Sequence, residues 1–296
     1  MMVATRGSVL GILAWQWRKA VLFGGAAFIA WVLRARGHFD GLLLPTLPLA
    51  VVGGAIGIFV SFRTNSCYAR WWEGRQLWGR LINMSRHLAS QVVASMPKEH
   101  AHDMVWRQIA FVHALRCALR KQDTFADEHF LAAAKESASK LAHEKNLPYA
   151  LLDLQHKALA DSVRRGEVSE QRMTSVDATL AALIDVQGGC ERLKNTPFPR
   201  GYAFISDRLI LAYGLLFPLA MVREMGLMVV PLNLLVCGAF ALISEAGRVL
   251  EDPFDMYWNG LPLSAMSIAI EVNLRQRLGD TNLPAIPGPN DKGVLM

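Results

Sequence analysis

The stretch GLLLPTLPLAVVGGAIGIFVSF, residues 41–62, contains 22 residues and no charged side chain. A helix of about 20 apolar residues is long enough to cross the hydrocarbon core of a bilayer. The residues that follow, RTNSCYARWWEGRQLWGRL (63–81), are rich in arginine and tryptophan. Tryptophan is enriched at the membrane–water interface, and arginine on its cytoplasmic side. We therefore interpret residues 41–62 as a membrane helix that leaves the bilayer at the start of the basic stretch.

The composition of the chain agrees with this interpretation. Of its 296 residues, 52% are hydrophobic and 19% are charged, whereas soluble domains carry about 25% charged residues. The net charge of +6 would also suit a nucleic-acid-binding protein. Basic residues beside a membrane have a simpler explanation, because the inner leaflet is anionic, and we expect no nucleic-acid partner. The scattered cysteines predict reduced, buried thiols: Cys67, Cys117, Cys190 and Cys237.

Three further apolar runs complete the pattern, at residues 20–33, 209–222 and 227–243. Each is shorter than an ideal span, but neighbouring protein can cover short or proline-interrupted segments at membrane depth. The runs come in pairs, so the sequence predicts two membrane hairpins and four membrane helices. For the short run 20–33, a buried core helix is the alternative interpretation.

Positive charge sets the expected orientation of the hairpins. Arg6, Arg18 and Lys19 precede the first run, and the residues after Phe62 are strongly basic. Because cytoplasmic loops carry the excess of lysine and arginine, we expect both termini in the cytoplasm. The short loop between the first two runs contains Arg34, Arg36 and Asp40, and its two arginines oppose this assignment in part.

The ends of the apolar runs divide the chain. Between the hairpins, apolar residues recur at helical spacing over 77–93, 103–122, 124–146, 149–165 and 169–193, and no run alternates as a strand does, so we predict an all-α fold. The predicted divisions are 1–62, the N-terminal segment and first membrane hairpin; 63–206, a cytoplasmic helical region; 207–244, the second hairpin; and 245–296, a cytoplasmic C-terminal helix and tail.

No enzyme motif is present, because the sequence has no phosphate-binding loop, nucleophile elbow or zinc-protease motif. His100, His102 and Asp103 form the sequence HAHD, but no third metal ligand can be predicted beside them. His113 lies among apolar helical positions and is interpreted as a packed core histidine. The sequence therefore predicts no enzymatic activity, no cofactor and no metal site.

The second half of the uncharged run has a distinctive helical surface. Gly54, Ile58 and Phe62 are spaced four apart and therefore form one line along a helix. Gly53 and Gly57 form a GxxxG pattern, and small residues allow neighbouring helices to approach closely. Ordinary helix packing explains this pattern as well as a helix side that faces a shared axis, and both interpretations remain open at this point.

Three segments resemble the bestrophin family, especially its bacterial members. They are FRTNSCYARWWEGRQLWG (62–79), GGCERLKNTPFPRGY (188–202) and EAGRVLEDPFDMYWNGLPL (245–263), and they occur in the family's order. The resemblance extends from Gly41 to Arg277. It implies a homopentameric ion channel in which each subunit contributes four membrane helices and a helical cytoplasmic part, and in which the second helix lines a central pore.

The resemblance also implies where the pore is narrow. The apolar neck of bestrophins falls here on Gly54, Ile58 and Phe62, and Gly54 departs from the family's apolar pattern. A second constriction, at the cytoplasmic end, is expected at Gln171, Met173 and Thr174.

Animal bestrophins are calcium-activated chloride channels with an acidic calcium-binding loop. Calcium requires six to eight oxygen ligands, usually including several carboxylates. In this chain Asp252-Pro253-Phe254 is followed by Asp255 and then by MYWNG (256–260), which has no carboxylate. We therefore expect no activation by calcium.

The expected function is passive conduction of small monovalent inorganic ions, such as chloride, across the bacterial inner membrane. The expected partners are membrane lipids, the permeant ions and four further copies of the chain. The alternative is a non-conducting, membrane-anchored helical scaffold or sensor.

Overall fold

The computed structural model describes residues 1, 16–37, 44–291 and 293–295, and the described residues form helices and no β-strand. The predicted all-α fold is confirmed. Some residues used to predict orientation and the second span lie outside the described residues: Arg6, Asp40 and residues 41–43.

The α-helices of the described residues follow one another with short connections. They are α1 (Trp17–Ala35), α2 (Thr46–Ser95), α3 (Lys98–Arg120), α4 (Glu128–Ala134), α5 (Glu136–Leu141), α6 (Leu147–Arg164), α7 (Glu170–Asn195), α8 (Arg200–Met225), α9 (Val229–Leu250) and α10 (Leu263–Leu278). Short 3-10 helices occupy Thr124–Ala126 and Gly226–Met228.

The chain divides into two compact units. The first unit comprises Thr5–Trp71 and Pro197–Glu251, and the second comprises Met1–Ala4, Trp72–Thr196 and Asp252–Met296. Helix α2 has 50 residues and continues through the boundary at Trp71 without a break.

In the first unit, α1, α8 and α9 contact one another in pairs. Asn233 on α9 is buried, and its side-chain amide donates to the carbonyl oxygens of Phe23 (2.8 Å) and Gly214 (3.0 Å). One polar side chain therefore joins three helices of a mostly apolar unit. The core around it also includes residues of α2, α8 and α9: Ile56, Val60, Tyr213, Phe217, Cys237 and Ala241.

In the second unit, α3 lies at the centre and contacts α4, α6 and α10. Its side chains are buried along most of its length. Gln108 of α3 donates to Ser85 Oγ (2.8 Å) and accepts from Gln155 Nε2 (3.1 Å), so buried hydrogen bonds connect α2, α3 and α6.

The structure corrects the prediction of one helix over residues 124–146. Asp123 accepts a hydrogen bond from Phe125 N and Asp127 accepts one from Phe130 N, so each aspartate caps a short helix. Lys135 has a φ of 42° and separates α4 from α5. The segment is therefore three short helices, because aspartate caps start the first two and the backbone turn at Lys135 separates the third.

Among the residues that the structure describes, two stretches are long and apolar enough to cross a membrane, Pro48–Ser95 and Arg200–Leu250, of which the second includes α8 and α9. Only 28% and 22% of the residues in their apolar windows are buried, whereas the core helix of a soluble protein is mostly buried. Helix α1 has 19 residues with basic side chains near both ends, and its apolar part is shorter. Most of the apolar helix surface is therefore left for lipid or other chains to cover.

Candidate functional site

Helix α2 has a buried edge within the first unit. Its buried positions recur every three or four residues: Leu49, Gly53, Ile56, Val60, Arg63 and Cys67. The apolar members of this edge pack against α8 and α9. The spacing is that of an α-helix with one side against neighbouring helices.

The opposite edge of α2 carries the predicted neck residues. Ile58 is 62% exposed and Phe62 is 67% exposed, and Val51 continues the same exposed edge towards the start of the helix. Gly54 is also exposed, and a β-carbon added there would meet nothing within 4 Å. The structure therefore brings Gly54, Ile58 and Phe62 together on one open line, which we call the exposed edge of α2.

The glycines of residues 53–57 have two different environments. A β-carbon at Gly53 would lie 2.6 Å from the hydroxyl oxygen of Tyr213, and one at Gly57 would lie 3.5 Å from the Phe240 ring. Gly53 therefore permits close approach of α8, as the GxxxG pattern predicts. No contact within the described chain requires residue 54 to be a glycine.

A buried arginine sets the rotational orientation of α2. Arg63 follows Phe62 directly and is only 2% exposed. Its Nη1 donates to Ser244 Oγ (2.7 Å) on α9, and Ser244 Oγ donates to Asp207 Oδ1 (3.1 Å) on α8. A buried charge is costly without such partners, so this contact favours one rotation of the helix, in which Phe62 points away from the core.

Sequence reasoning missed this role of Arg63. It placed the arginines of residues 63–80 beyond the membrane surface, but Arg63 lies inside the first unit. The signal in the sequence was the polar pair Asp207 and Ser244, which stand near opposite ends of the second apolar hairpin. The expectation that the tryptophans of this stretch lie near lipid headgroups is wrong for Trp78, which is fully buried.

The residues predicted for the cytoplasmic constriction lie in the first turn of α7. Ser169 caps this helix by accepting from Arg172 N (3.4 Å). Gln171 and Thr174 are exposed, and Met173 is half-buried. The start of α7 therefore presents polar side chains to the outside of the second unit.

The acidic residues of the segment 251–263 have local structural partners. Asp252 accepts from Lys194 Nζ (2.6 Å) and from Phe254 N (3.0 Å). Asp255 accepts from Met256 N (2.7 Å). These carboxylates fix the turn between α9 and α10, and each already accepts a hydrogen bond within it.

Comparison with known proteins places these features in a family. The family model described as "Bacterial/Fungal Bestrophin protein" matches residues 1–276. A voltage-dependent anion channel-forming protein YneE of Salmonella typhi is 34% identical over 86% of this chain and 84% of its own length. The YneE protein of Escherichia coli K12 is 32% identical over 83% of this chain and 81% of its own length.

The fold is similar to that of a solved relative. A bacterial bestrophin homologue from Klebsiella pneumoniae has a TM-score of 0.83 and 30% identity, over 88% of this chain and 97% of that one. The relatives are called channel-forming, and further solved structures of similar fold are called membrane proteins, so the expectation that the chain is not an enzyme is confirmed and its location is a membrane. The protein is a member of the bacterial and fungal bestrophin family.

Proposed function

We propose that this chain assembles as a homopentamer and conducts small monovalent ions passively across the bacterial inner membrane. The observation that carries the proposal is the exposed edge of α2, where Gly54, Ile58 and Phe62 form an uncharged and largely exposed line in the described chain. The names of the relatives, which are called channel-forming, support conduction.

Five copies of this edge around one axis would form an apolar neck. An ion in a narrow apolar ring loses hydration without gaining polar partners, so such a ring restricts flow through its width and dryness. The ring has no charge, and the sign of the permeant ion is therefore selected elsewhere along the pore. The second constriction is proposed at the start of α7, at Gln171, Met173 and Thr174.

The proposed membrane topology has four spans. They are α1, the part of α2 up to Phe62, α8 and α9, with both termini and residues 63–206 and 245–296 in the cytoplasm. Lys19 and Arg34 near the ends of α1 support a short span, because long basic side chains can reach the headgroups of membrane lipids. The low burial of the apolar stretches supports contact with lipid and with neighbouring subunits.

Electrical recording tests the proposal directly. Purified full-length protein in planar bilayers should give currents driven only by the ion gradient and the voltage. Reversal potentials in asymmetric salts would then give the sign and relative permeability of the ions. Folded protein that reproducibly gives no current would favour the non-conducting scaffold or sensor.

Native mass measurement tests the assembly separately. The expected mass in detergent is five times that of the chain. A stable monomer or dimer would contradict a pore around a five-fold axis.

A further inference from the structure

Two histidines and a glutamate from three helices meet in the second unit. His113 lies on α3, His129 on α4 and Glu271 on α10. The same carboxylate oxygen, Glu271 Oε2, lies 3.0 Å from His113 Nε2 and 2.8 Å from His129 Nδ1. One nitrogen or oxygen atom of each residue can be chosen so that all three lie within 4.8 Å of one another.

The two imidazole rings are nearly parallel, with centroids 4.9 Å apart and planes inclined by 10°. Both rings direct a nitrogen towards the same carboxylate. In a tetrahedral zinc site with bonds of about 2.0–2.2 Å, neighbouring ligand atoms lie roughly 3.3 Å apart. The two distances to Glu271 Oε2, 3.0 and 2.8 Å, are close to this value, and the three ligand atoms lie within 4.8 Å of one another.

The cluster is buried on one side and open on the other. His113 and Glu271 are buried, whereas the His129 side chain is 31% exposed. His129 is therefore the side of the cluster that solvent reaches. Three protein ligands with one position open to water is a common arrangement for zinc.

Surrounding residues hold the glutamate in place. Arg275 Nη1 donates to the other carboxylate oxygen, Glu271 Oε1 (3.1 Å), and Arg275 is itself held by Asp280 (3.0 Å) and lies over the Trp106 ring (5.2 Å). This leaves Oε2 directed at the histidines. Such outer contacts orient the ligands in metal sites.

The ligands also have suitable protonation states. Burial lowers the pKa of His113, which favours the neutral ring. Burial acts to raise the pKa of Glu271, and the hydrogen bonds from His113 and Arg275 act to lower it. Neutral imidazole and ionised carboxylate are the forms that bind metal ions.

We propose that His113, His129 and Glu271 bind a divalent transition-metal ion of the Zn²⁺ class, with a water molecule in the remaining position. Imidazole ligands suit zinc and its neighbours in the transition series. Calcium and magnesium prefer sites made of oxygen ligands, and this site offers one carboxylate. The bound ion would connect the seven-residue helix α4 to α3 and α10.

Metal titration of the full-length, untagged protein tests this proposal. After removal of metals with a chelator, we expect one Zn²⁺ per chain to bind, measured by competition with a chromophoric chelator, and we expect the melting temperature to rise with Zn²⁺. Millimolar Ca²⁺ and Mg²⁺ should not displace it. Co²⁺ should give the visible absorption of a four-coordinate site.

His156 offers a matched control for His129. Its side chain is 29% exposed, against 31% for His129, and it lies 3.4 Å from one carboxylate, that of Asp177. We expect His129→Gln to weaken Zn²⁺ binding by about 10- to 100-fold or more, because loss of even an outer contact of a metal ligand has an effect of that size. His156→Gln should bind as the parent does.

Two results would overturn the proposal. One is the absence of stoichiometric Zn²⁺ binding to the parent protein at micromolar free metal. The other is equal binding by the His129→Gln and His156→Gln variants. Neither measurement depends on ion conduction, so the metal site and the proposed channel can fail separately.

Discussion

Ile56 and Ile58 lie two positions apart on α2 and have the same side chain, but their environments differ completely. Ile56 is 3% exposed and belongs to the core of the first unit, whereas Ile58 is 62% exposed. The sequence places both in one uncharged run, so hydropathy alone does not separate them. The difference shows that the rotation of α2 determines which apolar residues stabilise the fold and which are available to line a pore.

The largest expected difference between the two edges is in stability. Ile56→Ala should lower the free energy of unfolding by about 2–5 kcal/mol, because it leaves a cavity among buried side chains. Ile58 is largely exposed within the described chain, so Ile58→Ala removes less packing there and should have a much smaller effect. Thermal unfolding of the two variants in the same detergent measures this. Equal destabilisation would show that the two edges do not differ as the structure indicates.

The contact that orients α2 can be weakened from the other helix. Ser244→Ala removes the acceptor of the buried Arg63 side chain and should cost about 1.5–3 kcal/mol, the value of a hydrogen bond to a charged group. Ser61→Ala, at an exposed position of α2, is the matched control. If thermal unfolding shows no difference between these variants, Arg63 does not fix the rotation of the helix through Ser244.

The neighbouring glycines Gly53 and Gly54 compare the two edges with the smallest change. Gly53→Ala places a β-carbon 2.6 Å from the Tyr213 hydroxyl oxygen and should cost about 1–3 kcal/mol through overpacking. Gly54→Ala meets no atom within 4 Å and should leave the melting temperature of the subunit almost unchanged. A larger loss for Gly54→Ala would place that glycine in a tight contact with another subunit.

Calcium should have no effect on the current that passes the exposed edge of α2. The segment 251–263 offers few carboxylates, and Asp252 and Asp255 already accept hydrogen bonds within their turn. Currents in planar bilayers should therefore be the same in micromolar calcium and in chelator. Currents that require calcium would show that this segment, or another site, binds it.

The helical fold, and the placement of Gly54, Ile58 and Phe62 on one line of α2, could be predicted from the sequence because the spacing is regular. Their assignment to the neck came from the family resemblance and stays a prediction. The continuity of α2 could not be predicted. Between the apolar run and residues 77–93, its buried positions are Arg63, Cys67 and Gly74, of which only Cys67 is hydrophobic, so hydropathy shows no continuous helix edge there. Gly74 packs closely against the Pro253 ring, which a β-carbon at this position would approach to 2.8 Å. Small and hydrogen-bonded residues, instead of large apolar ones, therefore occupy the buried positions of this part of α2.

The cluster of His113, His129 and Glu271 shows a second limit of sequence reasoning. The glutamate lies 158 and 142 residues from the two histidines, so no local spacing indicates that they meet. The interpretation of His113 as a packed core histidine describes its burial correctly and misses its polar partners. By contrast, the alternating histidines His100 and His102 attract attention in the sequence, and His100 contacts Glu167 (2.9 Å) at the surface.

We propose that the exposed edge of α2 forms the neck of the pore. Single-channel recording of the double variant Ile58→Ala with Phe62→Ala tests this directly. Truncation of both side chains in all five subunits widens the neck and lowers the cost of ion dehydration. Conductance or open probability should therefore rise without inverting ion selectivity. Gly54→Ile adds a ring at an open position and should reduce the current.

Both variants must be compared with the parent as intact pentamers, which native mass measurement establishes, because truncation can loosen a helix bundle. If the exposed edge of α2 forms the neck, the single-channel current is higher for the double alanine variant and lower for Gly54→Ile. A double alanine variant that conducts no better than the parent would contradict it, and Ile58 and Phe62 would then be lipid-facing or subunit-packing residues.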